Sequence, residues 1–191
     1  SLILMRIRWK VMKMTKWYSA DELRQSWCLL TLNIDQTDSE TYIRACEIGD
    51  ANAHQLIETE SFSTSDSNRE SELLHAIGAK LDERRYDGVS LVTPTHETLS
   101  TLRTRFVECD DIQQPTLRGF NHISVSELLE AYFNKNCTGQ GPLFDQCLYD
   151  ESTAGKEWLS KTEEIPVTAL WEALTTVGPL VPPEALQGTP L

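Results

Sequence analysis

The sequence predicts a single α/β domain on a mixed sheet flanked by helices, and three observations carry that expectation. Three strand-like segments come first, close enough along the chain to pair antiparallel. After them helical and strand-like segments alternate, so the later strands must join the sheet through crossovers. No G-x-G-x-x-G or P-loop occurs, which excludes the open sheets that start with a crossover and a glycine-rich phosphate turn.

Asp21 to Trp27 fits a short helical turn, and Cys28 to Asp35 is a strand of alternating apolar residues. Thr41 to Ile48 and His54 to Glu60 flank Gly49-Asp50-Ala51-Asn52, whose turn-forming residues make them a hairpin. Ser67-Asn68-Arg69-Glu70 has the form of a capping box and opens a helix whose Leu73, Leu74, Ile77 and Leu81 share one face. Tyr86-Asp87-Gly88 ends it. Val89 to Val92 is short and apolar enough for a central strand, broken by Pro94. Leu99, Leu102 and Phe106 mark a second helix from about Glu97. Asn121 to Val125 is a further strand, followed by a helix with Leu128, Leu129, Tyr132 and Phe133. Residues 134 to 155 read mostly as loop, and Pro166 starts a last helix bearing Val167, Leu170, Trp171 and Leu174.

Length and charge set the remaining bounds. A chain of 191 residues buries a core without disulfides or a structural metal. Five cysteines without a C-x-x-C pair argue against a zinc ribbon and a secreted disulfide framework, and point to reduced thiols in a cytoplasmic protein. Residues 1 to 16 hold five basic groups and no acid, whereas residues 17 to 191 hold 12 basic against 29 acidic groups, with four lysines. An acid-rich, lysine-poor surface suits a cytoplasm at molar salt, where a Debye length of roughly 3 Å removes the self-repulsion; the plainer alternative is an acidic mesophilic protein.

The expected organisation is an extension over 1–14, a domain over 15–177 and a proline-rich tail over 178–191, extended or frayed. The extension is too short to span a bilayer and reads as a vector-derived or mis-start segment, or as a surface anchor.

The residues with chemical content begin with Asn33-Ile34-Asp35. Strand alternation projects residues i and i+2 to one face, where a carboxylate pair would bind divalent ions. Here one of the two is an amide. His96 and Glu97 stand where the second helix begins, and His75 lies near the apolar face of its own helix. His96 is either a general acid or base or a helix-start histidine without a matched partner. His75 reads as packed or at the boundary of that face rather than as a ligand. Arg84, Arg85, Arg103, Arg105 and Arg118 read equally as phosphate contacts or as salt-bridge partners within an acidic protein. Trp158 and Trp171 read as packing residues of the last helices.

From about Cys28 to Leu174 the chain resembles the ribonuclease H-like, DEDD-type 3′-5′ exonuclease domains of family B DNA polymerases and their stand-alone relatives. Their first motif, Asp-x-Glu at the end of the first strand, falls on Asn33-Ile34-Asp35. Glu70-Ser71-Glu72-Leu73-Leu74 and Tyr86 to Val92 are similar to the helix and strand that lead to the second motif. That motif falls on Leu91 to Leu102, with Thr95 near its Asn and His96-Glu97 in place of Phe-Asp. His122 to Leu129 resembles the strand-to-helix segment that begins with an Asp in the polymerases, here Ser124. The third motif, Tyr-x-x-x-Asp, falls on Thr162 and Pro166.

The resemblance implies a ribonuclease H-like fold with a vestigial site at Asn33, Asp35, Glu97, Ser124, Thr162 and Pro166. Two divalent ions roughly 3.5 to 4 Å apart need several anionic ligands, so no metal, cofactor or turnover is expected, and the chain reads as a binding or accessory module of nucleic-acid metabolism in a halophile. Its expected partners are single-stranded nucleic acid or a replication or repair protein, with no membrane. One alternative is an active Mg²⁺- or Mn²⁺-dependent exonuclease in which Asp35, Glu97, Glu163 and Glu164 act as displaced ligands. Another is a protein-interaction module without a nucleic-acid role.

Overall fold

The computed structural model describes residues 26–37, 40–85, 89–109, 117–128, 165–177 and 189–191. Within them β1 (Ser26–Gln36), β2 (Thr41–Ala51) and β3 (Leu56–Ser63) precede a 3₁₀ turn (Ser67–Arg69) and α1 (Glu70–Arg84). Then follow β4 (Val89–Thr93), α2 (His96–Glu108), β5 (Asn121–Ser124), α3 (Val167–Val177) and β6 (Thr189–Pro190). The sheet order is β3-β2-β1-β4-β5-β6. The β1–β2 and β2–β3 pairs are antiparallel, β1–β4 and β4–β5 are parallel, and β6 runs antiparallel to β5. This is the ribonuclease H-like order, with β6 added at one edge.

The sheet is buried on both faces, which is why β1 and β4 carry near-continuous apolar runs. Alternation along β1 divides the core. Cys28 and Leu30 join Leu74, Ile77 and Leu81 of α1 and Leu102 and Phe106 of α2, whereas Trp27 and Leu29 join Val167, Leu170 and Leu174 of α3. Cys28 and Cys46 are fully enclosed in the first layer, and burial pushes the Cys28 thiol up to about 12, so these cysteines act as small apolar packing groups.

Several expectations need correction. Gly49 and Asp50 belong to β2 rather than to a turn; the reversal is made by Asn52, whose Oδ1 accepts from the N–H groups of His54 and Gln55. The turn propensity of Gly49-Asp50 is overridden by packing, because Gly49 lies beneath α3. The capping box is not formed. Asp66 caps the 3₁₀ turn through Asn68 N at 2.9 Å, and Glu70 turns inward instead of reaching back. His75 is exposed rather than packed. At residues 189–191 the tail is extended, as one of the two expected states, with Thr189 and Pro190 paired opposite His122 and Asn121 and the Leu191 N–H donating to Phe120 O at 3.1 Å. The sequence predicts that β1 starts at Cys28, but it starts at Ser26, taking Trp27 out of the expected helical turn.

No helix among the described residues is long and apolar enough to cross a membrane. The extension 1–14, most of the expected helical turn at 21–27, Tyr86-Asp87-Gly88, residues 134–155 and Trp158 lie outside the described residues.

Candidate functional site

Because β1, β4 and β5 are parallel, their carboxyl ends lie on one side of the sheet, the position where open α/β sheets build sites. The register there is uneven. Leu29 pairs with Val92 and Thr93 pairs with Ser124, so β4 and β5 end level while β1 continues beyond them. Continuing that register, Asn33 lies three residues and Asp35 five residues past the level of Thr93, roughly 10 and 17 Å along the strand.

This overhang runs beside β2, with Asn33 opposite Ala45 and Asp35 opposite Tyr42. Arg44 is the extra residue of a bulge on β2, so the alternation of β1 is uninterrupted and Asn33 and Asp35 keep a common face, as the sequence predicts. The Tyr42 hydroxyl donates to Asp35 Oδ2 at 3.2 Å. Burial, and then this bond, hold the Tyr42 phenol above its ordinary range.

Glu97 is exposed in the first turn of α2, where its charge complements the helix dipole. Thr95 caps that helix, its hydroxyl accepting from Thr98 N at 3.4 Å. Ser124 Oγ lies 2.9 Å from Ser126 Oγ, and Ser126 N donates to Pro94 O at 3.0 Å, tying the ends of β4 and β5 together. Pro166 caps α3, its carbonyl accepting from Ala169 and Leu170. Thr162, Glu163 and Glu164 lie outside the described residues. Among the described residues no group of three or more His, Cys, Asp or Glu side chains could hold a metal ion.

Two groups emerge that the sequence reading does not assemble. His96 Nε2 meets Glu127 Oε1 at 2.5 Å, and the His96 ring stands edge-on to His122 with centroids 5.0 Å apart. The pairing of Thr93 with Ser124 is the signal that finds it, since His96 and Glu127 each follow their strand by the same three residues. His122 is 3% exposed, and its Nε2 lies 2.7 Å from Thr93 Oγ1. That hydroxyl gives its one proton to Thr95 O at 2.8 Å, so it must accept from His122, which places a proton on Nε2. Burial, followed by the nearby His96, pushes the His122 pKa down to about 4.

The second group is Glu47 of β2, opposite Thr31, whose Oε1 accepts from Val167 N at 3.2 Å. A carboxylate from the second strand thus stands at the start of the last helix, beside Pro166.

The arginines divide. Arg84 is paired with Asp50 and with Glu58 at 3.4 Å, Arg85 with Asp82 at 3.8 Å, and Arg105 with Glu70 and Glu108. These pairs serve the intramolecular role. Arg103 and Arg118 are exposed. Trp171 packs on the second core layer, its indole N–H donating to Asn52 O at 3.0 Å.

No protein-family model matches the chain, and no curated protein matches it in sequence. Among solved structures it is similar to one described as "crystal structure of full-length 3'-exonuclease", with a TM-score of 0.46 and 9% identity. The similarity covers 73% of this chain and 62% of that one, less than two thirds of its length.

Proposed function

We propose that this domain is an exonuclease-like module that binds single-stranded nucleic acid, or a protein that handles it, without hydrolysing it, in a high-salt cytoplasm. The observation that carries this reading is Asn33 beside Asp35 at the end of β1, an amide where two-metal chemistry needs a second anion. Ser124 and Pro166 are neutral as well, and Glu47, a carboxylate on β2 opposite Thr31, accepts from the Val167 N–H. Among the described residues this donor set does not fit a pair of divalent ions. The low lysine content and the acidic surface support the high-salt setting.

The test uses the purified chain in molar KCl with Mg²⁺ or Mn²⁺ and end-labelled single-stranded DNA. The expected result is no shortening of the strand, with binding that weakens as salt is raised because phosphate contacts release counterions. Calorimetry should detect only weak Mn²⁺ binding, and Asn33→Asp should tighten it by placing two anions on one face. Turnover by the unmodified chain that is lost in Asp35→Ala would establish the displaced-ligand enzyme instead. Partner binding indifferent to salt would favour the protein-interaction module.

A further inference from the structure

We infer that the groove between the first turns of α1 and the adjoining ends of β2 and β3 is a binding site for a small aromatic anion, a planar ring joined to a phosphate or carboxylate. Asn33 of β1 also lines this groove, so it adjoins the position that carries the exonuclease-like reading, but the proposal needs no carboxylate on β1 and is tested at Arg44, Arg69 and Glu72 instead.

The groove has a volume of about 670 Å³, within the size range of small-molecule sites. Its apolar wall is Phe62 on β3 with Leu73 and Ala76 on α1. Phe62 is half-buried, packed behind against the first core layer, so its ring is held in place as a stacking surface. The rim is cationic. Arg44 and Arg69, both exposed, line it together with the polar side chain of Thr64. Among the described lining residues two carry guanidinium groups and one, Glu72, is an acid, in a chain of net charge −12; Arg44, like Arg69, is engaged within the chain yet exposed.

Two features of the backbone account for this arrangement. Arg44 is the extra residue of the β2 bulge, a device that re-aims a side chain at the edge of a sheet, and Thr64 N donates to Arg44 O at 2.8 Å to hold the bulge against the end of β3. Arg69 is brought to the same rim by the Asp66-capped turn that precedes α1. The one acid, Glu72, pairs with Arg69 at 2.8 Å, but both side chains are about two-thirds exposed. Such a pair contributes little, so a ligand anion can take its place on the guanidinium. Planar guanidinium groups favour phosphate and carboxylate through paired donors, and a ring seated on Phe62 adds stacking and apolar burial.

Binding is measured by calorimetry and by ligand-observed NMR on the full chain with four probes: adenosine 5′-monophosphate, indole-3-acetate, adenosine and inorganic phosphate. The expected result is that at least one ring-bearing anion binds about tenfold more tightly than adenosine or phosphate alone. Tight binding of the nucleotide only assigns the site to nucleotides, and tight binding of both assigns it to aromatic anions in general. Arg44→Gln with Arg69→Gln should abolish that preference, and Ser65→Glu, an exposed change on the same rim, should weaken binding without unfolding the domain. Glu72→Gln should strengthen it about twofold to fivefold by removing the competing carboxylate. Phosphate binding as well as the ring-bearing anions, absence of binding by all four probes, or affinities unchanged in the arginine and Glu72 variants would each overturn the proposal.

Discussion

Glu47 Oε1 accepts the backbone N–H of Val167 at 3.2 Å, joining the middle of β2 to the first residue of α3 across 120 positions of chain. The two elements also touch at Gly49, where an added Cβ would lie 2.5 Å from Val167 Cγ1. The start of the last helix is therefore held by a hydrogen bond and a missing side chain, in addition to the Trp171–Asn52 bond and the apolar packing of Leu170 and Leu174 farther along it. Gly49→Ala should displace α3 and cost about 1 to 3 kcal/mol by overpacking. Glu47→Ala should cost about 1 kcal/mol, the usual loss for a helix N-terminal partner. Urea unfolding of the two variants checks both, and equal stability of Gly49→Ala and the parent would show that α3 does not seat on β2.

The second prediction concerns Glu70, which is 3% exposed and accepts from Ile43 N and from Arg105 Nε, each at 2.8 Å, with a further bond from Arg105 Nη2. These bonds to Glu70 hold the Arg105 guanidinium above its ordinary range and tie β2, α1 and α2 together. Arg105→Ala should cost about 3 kcal/mol, because it strands a buried carboxylate. Arg105→Ala combined with Glu70→Gln should lose less than the two single changes added together, since the second removes the stranded charge. A loss below about 0.5 kcal/mol for Arg105→Ala would class it with ordinary surface substitutions.

That same residue shows where sequence reasoning reaches and where it ends. Periodicity located the apolar face of α1 because Leu73, Leu74, Ile77 and Leu81 repeat at helical spacing, and the order of strand and helix segments led to the sheet topology. Both are local or sequential signals. The partner of Glu70 is 35 residues away on another helix, and nothing local distinguishes an inward-turning glutamate from one that closes a capping box. Gly49 departs from its expected place for a similar reason: Gly-Asp is turn chemistry in isolation, and only the approach of α3 explains it within a strand. At the carboxyl ends of the strands, the common face of Asn33 and Asp35 is legible from alternation. The level at which β1 passes β4 is not, because a period of two leaves shifts of two residues equivalent, and a long crossover, unlike a tight turn, does not remove that ambiguity.

The third prediction follows from charge. Residues 17 to 191 carry 29 acidic against 12 basic groups, and ion pairs such as Lys80–Glu60 at 2.9 Å offset only part of the excess. Lowering KCl from molar to about 0.1 M extends repulsion among the remaining carboxylates to roughly 10 Å. The melting temperature should fall as salt is removed. A melting temperature that stays level or rises would refute the high-salt reading and leave an acidic protein of ordinary habitat.

The fourth prediction concerns pH and His122. Its pKa stands near 4 in the folded chain against 6.5 for an unperturbed histidine, first because of burial and then because of His96, with Arg103 acting in the same direction and Glu127 opposing them. The unfolded chain therefore binds a proton that the folded chain refuses between about pH 4 and 6.5, and stability must fall as pH is lowered through that window. Above it the contribution of this group is constant. The slope attributable to His122 is at most about 1.4 kcal/mol per pH unit. Other groups also titrate on acidification, so the measurement is a difference: urea unfolding from pH 7.5 to 4.5 for the parent and for His122→Gln, whose amide can still donate to Thr93 Oγ1. The parent should lose stability more steeply below pH 6.5, and the two curves should run parallel above it. Identical slopes below pH 6.5 would mean that the buried imidazole takes up its proton in place, without the penalty that burial imposes.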